Sequence, residues 1–184
     1  MTKLTATSYI VLGLLELRDE ATPYDLKGMV EVSIGNFWSV PHSQLYAEPA
    51  RLARSGYVAE RRERAGRRRR HYSLTDKGRE ALAEWREEPT DQLPELRDLS
   101  LLKMFFGGDA VKLASAQRAA HEAKLEYYRG LLAADPGTPP RGVWRTLRAG
   151  VRHEREWVRF WTALERGEET VTDAHGTPAA KPIE

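Results

Sequence analysis

The chain has 184 residues, a formal net charge of only +2 and no cysteine. This length suffices for one domain, or for a small domain with an extension. The lack of cysteine excludes disulfides and thiolate catalysis, and no apolar run reaches the ~18 residues that a membrane-spanning helix needs. The N-terminus also lacks the pattern of a signal peptide, so we expect a soluble, cytoplasmic protein that does not bind membranes.

The first part of the chain predicts two helices followed by a turn. Residues 4–17 have a wide apolar face, and Thr5 or Thr7 can cap the helix that they form. A second helix is expected to begin directly after Thr22, which precedes a proline and stands three residues before an aspartate. Residues 33–38 contain Gly-Asn and predict a turn, whose two final aromatic residues we expect to plug the core.

Residues 39–54 predict a third helix with two different faces. Leu45 and Leu52 share one face, whereas the opposite face is small and polar. A helix that reads base edges in the DNA major groove needs such a face, because bulky side chains would hold it away. An ordinary solvated helix surface has the same character, so the helix alone leaves both readings open. Pro49 lies inside the helix, and we expect a kink or a restarted helix there.

A strongly basic ribbon follows this helix. Between Arg61 and Arg70 there are seven arginines and one glutamate, and Gly66 supplies the turn of a predicted hairpin. From Arg51 to Arg79 eleven basic residues face three acidic ones, a local net charge of +8 in a chain whose total is +2. A basic hairpin directly after a helix-turn-helix indicates a winged helix-turn-helix, whose wing would lie along DNA phosphates.

The candidate DNA contacts lie at the start of the third helix, at its end and at the tip of the wing. The helix residues are expected to face base edges, and a glutamine there can pair with adenine in bidentate fashion. The wing arginines are expected to contact phosphates rather than bases. The full candidate set is Ser43, Gln44, Tyr46, Arg51, Arg54, Arg67, Arg68 and Arg69.

The rest of the chain predicts further helices. A fourth helix begins at Thr75 and ends at a proline, and residues 96–106 form a short fifth one. Asp109 caps a long helix that runs to the Pro- and Gly-rich break at 135–140, and a last helix then runs to about Arg166. The expected fold class is therefore mainly α with a small β-hairpin wing: a winged helix-turn-helix plus a C-terminal antiparallel helical hairpin.

This pattern predicts three segments. Residues 1–89 form the DNA-binding domain, residues 90–166 a helical dimerisation and effector region, and residues 167–184 a disordered tail. Apolar residues recur at three- and four-residue spacing in the last helix, and we expect this stripe to be buried against a second copy of the chain. The alternative is that the stripe packs only on the chain's own DNA-binding domain. The predicted dimerisation residues are Trp144, Leu147, Val151, Val158 and Trp161.

No pattern of an enzyme is present. The five histidines are scattered without metal-ligand spacing, and there is neither a phosphate-binding loop nor a nucleophile elbow. His121 and His153 each precede a glutamate, as in zinc-protease helices, but the second histidine is missing, so we expect both on the surface. We therefore predict no catalytic residue, no metal and no cofactor.

Several stretches resemble PadR-family transcriptional regulators. They are Leu4–Leu15 with Thr22–Lys27 at the start, Phe37–Tyr46 before and within the third helix, Arg68–Arg79 after the wing tip, and Leu101–Phe106. The resemblance implies a bacterial DNA-binding repressor that is dimeric through a C-terminal helical region. In some members of that family a small, often aromatic, ligand releases the DNA.

The resulting hypothesis is a homodimeric, ligand-responsive repressor that binds double-stranded DNA at an inverted-repeat operator. Trp85, Trp144, Trp157 and Trp161 are candidate walls for a flat aromatic effector. One alternative is a winged-helix RNA-binding protein, which would discriminate weakly among DNA sequences. The other is an interaction adaptor whose basic wing binds an acidic protein, which would show no salt-sensitive DNA binding.

Overall fold

The computed structural model describes residues 3–64, 68–134 and 140–168, in two compact units that divide between Leu93 and Pro94. Within these ranges the chain is mainly helical with one antiparallel hairpin, which confirms the predicted fold class. In chain order the elements are α1 (Ala6–Leu17), α2 (Pro23–Glu31), a 3-10 turn (Ile34–Asn36), α3 (His42–Arg54), β1 (Val58–Arg62), β2 (Arg70–Leu74), α4 (Asp76–Glu87), α5 (Leu99–Phe105), α6 (Ala110–Ala133) and α7 (Arg141–Glu165).

Some predicted features lie outside the described residues. The turn at Gly66 and the candidate contact Arg67 fall between the two strands of the hairpin, in the segment that is not described. The tail predicted to be disordered is likewise outside the described residues from Glu169 onward.

The helix starts follow from local hydrogen bonds. Thr5, and not Thr7, caps α1: its side chain accepts from the Ser8 amide, while the Ser8 hydroxyl accepts from the Thr5 amide at 2.8 Å. Thr22 and Asp25 make the same reciprocal pair at α2, and hydrogen bonds from the Thr22 backbone and side chain lower the pKa of Asp25. These caps satisfy amides that have no partner within the helix, so each start is set by a few neighbouring residues.

The core of the first unit is made by one face of each helix and by the hairpin. Its fully buried side chains include Leu12, Leu15, Leu26, Leu45, Leu52, Tyr72 and Leu82. Pro49 is also fully buried, and α3 continues past it without interruption, so the expected restart of the helix is wrong. Because its ring lies in the core, apolar burial offsets part of the cost of the lost hydrogen bond.

The aromatic residues after the turn do not fill the core. Phe37 is 63% exposed and Trp38 is 48% exposed, so the expectation that they plug the core is wrong. Ile34, in the 3-10 turn, and Val40, just before α3, pack into the core instead. The tight turn changes which residues face inward, and side-chain size alone did not reveal this.

One strand of the hairpin, β2, has a pairing partner on each of its edges. Val58 lies opposite Leu74 at its base and Arg62 lies opposite Arg70 towards its tip. The backbone of Tyr72 also exchanges hydrogen bonds with Ala21, at 2.9 and 3.0 Å, so β2 is paired on both edges at that point. The wing therefore projects from a base that is attached to the segment between α1 and α2.

In the second unit α6 and α7 pair in antiparallel fashion. Arg118 binds Glu165 near one end of the pair, and the Tyr128 ring lies against Gly150 further along, where a Cβ atom would come within 3.0 Å of the ring. Leu125, Tyr128 and Val151 form the buried cluster between the two helices. The antiparallel helical hairpin is thus closed by contacts within one chain.

This packing changes the interpretation of the predicted dimer stripe. Val151 is buried and Trp161 is fully buried, while Leu147 and Val158 pack against the cluster between α6 and α7. The chain itself therefore already buries Val151 and Trp161, whereas Leu147 and Val158 are half-buried, and their contact with a second copy stays a prediction. Trp144 is half-buried.

The one charged residue inside that stripe has a partner. Glu154 is buried, and its Oε2 lies 2.6 Å from Nδ1 of His121 on α6. The His121 ring in turn stacks on Trp157 at 5.6 Å between centroids. His121 is therefore half-buried and holds the two helices together, contrary to the expectation that it lies on the surface.

Candidate nucleic-acid interface

The outer face of α3 carries most of the predicted base contacts. Ser43, Gln44, Tyr46 and Arg54 are all exposed, whereas Leu45 and its neighbours on the inner face are buried. The outer face therefore presents one amide, two hydroxyl groups and one guanidinium to solvent. This mixture of donors and acceptors, without a large aliphatic side chain, is suited to the edges of bases in the major groove.

Arg51 does not share this position. Its Nε donates to Glu48 Oε2 at 2.8 Å and its Nη2 donates to the Ser8 hydroxyl at 2.9 Å. The Ser8 hydroxyl in turn donates to Glu48 Oε1 at 2.6 Å, so the three side chains form one closed network between α1 and α3. Two of its three guanidinium nitrogens are used in this network, so Arg51 differs from the exposed candidates, and its contact with DNA stays a prediction.

Glu48 is a functional residue that the sequence analysis missed. Burial by itself raises the pKa of this carboxyl, but hydrogen bonds from Arg51 and Ser8 outweigh burial, and the net pKa is lowered. The carboxylate is therefore held ionised inside the domain, where it fixes α3 against α1. The only sequence signal was the three-residue spacing of Glu48 and Arg51, which also occurs on many exposed helices.

The arginines on the paired strands of the wing form ion pairs with carboxylates. Arg61 donates to both oxygens of Glu20, at 2.9 and 2.6 Å. Glu60 lies 2.7 Å from Arg62 and 3.7 Å from Arg70. Hydrogen bonds from these partners lower the pKa values of both glutamates. Three of the seven arginines counted in the sequence therefore stabilise the hairpin itself.

The arginines nearer the tip remain available. Arg64, Arg68 and Arg69 are exposed, and none of them makes an ion pair with another described residue. Arg68 has a φ of 48°, a left-handed conformation that turns the chain back towards β2. The positive charge that can meet an external anion is therefore concentrated at the tip, as the sequence pattern indicated.

Glu63 is the one acidic residue near the tip, and it forms hydrogen bonds within the hairpin. Its carboxylate is bound by His71 at 3.0 Å and by the backbone amide of Arg69 at 3.2 Å. The hydrogen bond from His71, followed by that from Arg69, lowers the pKa of Glu63. These contacts close the hairpin below the tip and keep this negative charge beside the strands.

Comparison with known proteins assigns the family. Residues 11–84 match the transcriptional regulator PadR-like family, and residues 96–165 match a virulence activator alpha C-terminal family. The negative transcriptional regulator PadR of Bacillus subtilis is 30% identical over 174 residues, which cover 85% of this chain and 93% of that protein. The chain belongs to the PadR-like family of transcriptional regulators.

Solved structures of PadR-like regulators have the same fold. The structure of Bacillus subtilis PadR in complex with operator DNA has a TM-score of 0.78 at 25% identity, covering 90% of this chain and all of that one. The structure of the same regulator in complex with p-coumaric acid has a TM-score of 0.72 at 26% identity, with the same coverage. The winged helix-turn-helix predicted from the sequence is thereby confirmed.

Two kinds of feature are absent from the described residues of this PadR-like chain. Across residues 3–64, 68–134 and 140–168, no group of three or more histidine, aspartate or glutamate side chains is placed to hold a metal ion. Within the same ranges, no helix is both long and apolar enough to cross a membrane.

The buried network predicts a specific loss of stability. Glu48→Gln should lower the free energy of unfolding by about 1–3 kcal/mol at pH 7, because it removes a buried carboxylate that accepts charged hydrogen bonds. Glu80→Gln, which removes the same charge from an exposed position on α4, is the matched control and should change little. Urea unfolding followed by circular dichroism measures both variants.

The pH dependence supplies a second readout. Since the folded pKa of Glu48 is lowered, its stabilisation is complete above the unfolded value, near 4.5, and is lost as pH falls through the folded pKa. The difference in the free energy of unfolding between the native protein and Glu48→Gln should therefore become smaller in acid. A difference that becomes larger in acid, or an equal loss of stability in Glu80→Gln, would contradict the stabilising role of the Glu48 carboxylate.

Proposed function

We propose that this chain is a sequence-specific DNA-binding repressor that acts as a homodimer. The observation that carries the proposal is that Arg64, Arg68 and Arg69, on either side of the wing tip, are exposed and form no ion pair with another described residue, in the same unit as the exposed polar face of α3. Family membership and the operator complex of the Bacillus subtilis relative support DNA as the polyanion. Such a regulator acts where the chromosome lies, which in a bacterium is the cytoplasm.

In this proposal α3 and the wing contact different parts of the DNA. Ser43, Gln44, Tyr46 and Arg54 on α3 meet the major groove, where base edges carry sequence information. The wing-tip arginines bind phosphates and supply affinity that is independent of sequence. The network around Glu48 contributes by fixing the orientation of α3 relative to α1.

An apolar surface on the second unit supports the dimer. Six large apolar side chains between residues 96 and 111 are each more than half exposed, although they are close together in the chain. Exposed apolar side chains in this number within sixteen residues indicate an interaction site. We define the α5 surface by these residues: Leu96, Leu99, Leu102, Phe105, Phe106 and Val111.

A second copy is the occupant that we propose for the α5 surface. We propose this surface in addition to the half-buried residues of the α7 stripe, because the chain itself already buries Val151 and Trp161. Residues 90–184 carry equal numbers of basic and acidic residues, fourteen of each, so two copies of this region meet without net repulsion. A dimer related by a two-fold axis would place two recognition helices about 34–36 Å apart and would select an inverted repeat.

A groove in the second unit is a candidate effector site. It has a volume of about 650 Å³ and is lined by Leu101, Arg152, His153, Glu156, Trp157 and Phe160. Of the candidate indoles, Trp85 stacks on Tyr9 at 4.6 Å in the first unit, and Trp161 is fully buried. Trp157 is the indole that lines the groove, where aromatic walls and one arginine suit a planar aromatic acid. The p-coumaric acid complex of the relative supports this ligand class.

Removal of the wing-tip charges tests DNA binding. Arg68→Ala with Arg69→Ala should weaken binding to all DNA sequences alike and flatten the salt dependence by up to about two units of slope, because each phosphate contact releases counterions. The control, Arg97→Ala with Arg129→Ala, removes the same charge from exposed positions of the second unit. Affinity is measured by fluorescence anisotropy over a range of salt concentrations.

The same measurement separates the alternatives. A loss confined to one operator sequence, with the slope unchanged, would contradict the phosphate role of these arginines. Tighter binding to structured RNA than to DNA would favour the RNA-binding alternative. Binding that is insensitive to salt on every nucleic acid would favour an acidic protein partner.

Charge on the α5 surface tests the dimer. Leu102→Glu with Phe105→Glu should give a monomer in sedimentation velocity, because buried unpaired carboxylates are costly. Binding to the full inverted repeat should weaken by about 10²-fold or more, since the second half-site contact is no longer intramolecular. Leu17→Glu places one carboxylate on an exposed leucine of α1 and should leave the dimer intact. A double variant that still sediments as a dimer would exclude this surface.

Titration with phenolic acids tests the effector site. Added p-coumarate should change tryptophan fluorescence and release DNA over the same concentration range. Arg152→Ala should weaken both responses by about tenfold or more, since it removes a charged hydrogen-bond donor. Arg155→Ala, an exposed position on α7 outside the groove, is the control. A panel of phenolic acids that gives no coupled response would exclude this effector class.

A further inference from the structure

A surface hydrogen bond controls the chemistry that Gln44 presents. The Thr7 hydroxyl on α1 donates to Oε1 of Gln44 on α3 at 2.9 Å. Thr7 is free for this contact because Thr5 caps the helix. The side-chain oxygen of Gln44 is therefore held towards α1.

This bond is one of two parallel connections between the same helices. One residue further along α1, the Ser8 hydroxyl donates to Glu48, which stands one turn beyond Gln44 on α3. The inner connection is buried and includes the guanidinium of Arg51, so it fixes the spacing and rotation of the two helices. Because this network fixes the distance between α1 and α3, the Thr7 hydroxyl stays within hydrogen-bond distance of Gln44. The exposed Thr7–Gln44 bond therefore depends on the buried Ser8–Glu48 bond.

The orientation of an amide decides which base it recognises. Bidentate pairing with adenine needs both ends of the glutamine amide: the oxygen accepts from N6 and the nitrogen donates to N7. The hydrogen bond from Thr7 uses one of the two lone pairs of the oxygen and turns the oxygen towards α1, so the N–H groups of Gln44 are favoured as the contact with a base. Donors pair best where no second donor lies beside the acceptor, as at O6 and N7 of guanine and O4 of thymine, whereas N7 of adenine lies beside the N6 donor.

We infer that Thr7 is a specificity-determining positioning residue, which makes Gln44 a hydrogen-bond donor selecting guanine or thymine rather than adenine. The inference rests on the proposed function, because it assumes that α3 enters the major groove. Thr7 need not contact the DNA: it acts by holding the oxygen of Gln44. The adenine pairing expected from glutamine alone needs the oxygen to turn towards the base edge, and the hydrogen bond from Thr7 opposes that rotation.

Selection from a random DNA pool tests the inference with four full-length proteins: the native chain, Gln44→Ala, Thr7→Val and Thr7→Ser. The position that loses its preference in Gln44→Ala identifies the base pair that Gln44 faces. The native protein should prefer guanine or thymine there. Thr7→Val removes the hydroxyl at nearly constant volume and should reduce the preference over adenine by about two- to tenfold. Thr7→Ser retains the hydroxyl and should select the native motif.

The outcomes separate this inference from the proposed function. Native selection of adenine at the Gln44 position, or the same motif for Thr7→Val and the native protein, would overturn the inference while DNA binding stands. A Gln44→Ala motif identical to the native one would overturn it as well. If the native protein binds no DNA in a salt-sensitive manner, both ideas fail. Melting temperatures of the Thr7 variants confirm that the comparison is made between folded proteins.

Discussion

The closed network of Ser8, Glu48 and Arg51 is the constraint on which the rest of the DNA-binding unit depends. A buried carboxylate is stable only when its oxygens are bound, and these two partners come from different helices. The apolar core alone would allow α3 to slide or rotate slightly, because leucine contacts have little directionality. Hydrogen bonds of fixed length remove that freedom, so the polar face of α3 is presented at one angle.

Charge in the wing follows a similar division between structure and function. On the paired strands, Arg61 binds Glu20 and so links the hairpin to the segment before α2, whereas Arg62 binds Glu60 within the hairpin itself. Arg64, Arg68 and Arg69, nearer the tip, are not neutralised by any other described residue. The number of arginines in the wing therefore overstates the positive charge that can bind phosphate. Arginines that form ion pairs with glutamates contribute less to that charge.

The sequence predicted features that depend on a few neighbouring residues and missed those that depend on a distant partner. Caps such as Thr22 with Asp25 are local, so the helix starts were readable. The apolar stripe of α7 was also readable, but its period shows only that Val151 and Trp161 are covered, not whether the cover is α6 or a second chain. Arg51 was assigned to DNA because Ser8, more than forty residues earlier, is not a visible partner in the sequence. Phe37 and Trp38 show the same limit, since their exposure depends on the 3-10 turn before them.

The uneven distribution of charge affects how fast the protein finds its site. The excess positive charge lies in one stretch that includes the wing, whereas residues 90–184 are neutral as a whole. The field of a DNA duplex attracts this basic stretch more strongly than the rest of the chain, so the wing tends to approach the DNA first. Encounters are therefore pre-oriented before any base is read, and loosely held phosphate contacts let the protein slide along non-specific DNA while α3 samples successive sequences. The wing thus influences the rate of the search as well as the strength of the final complex.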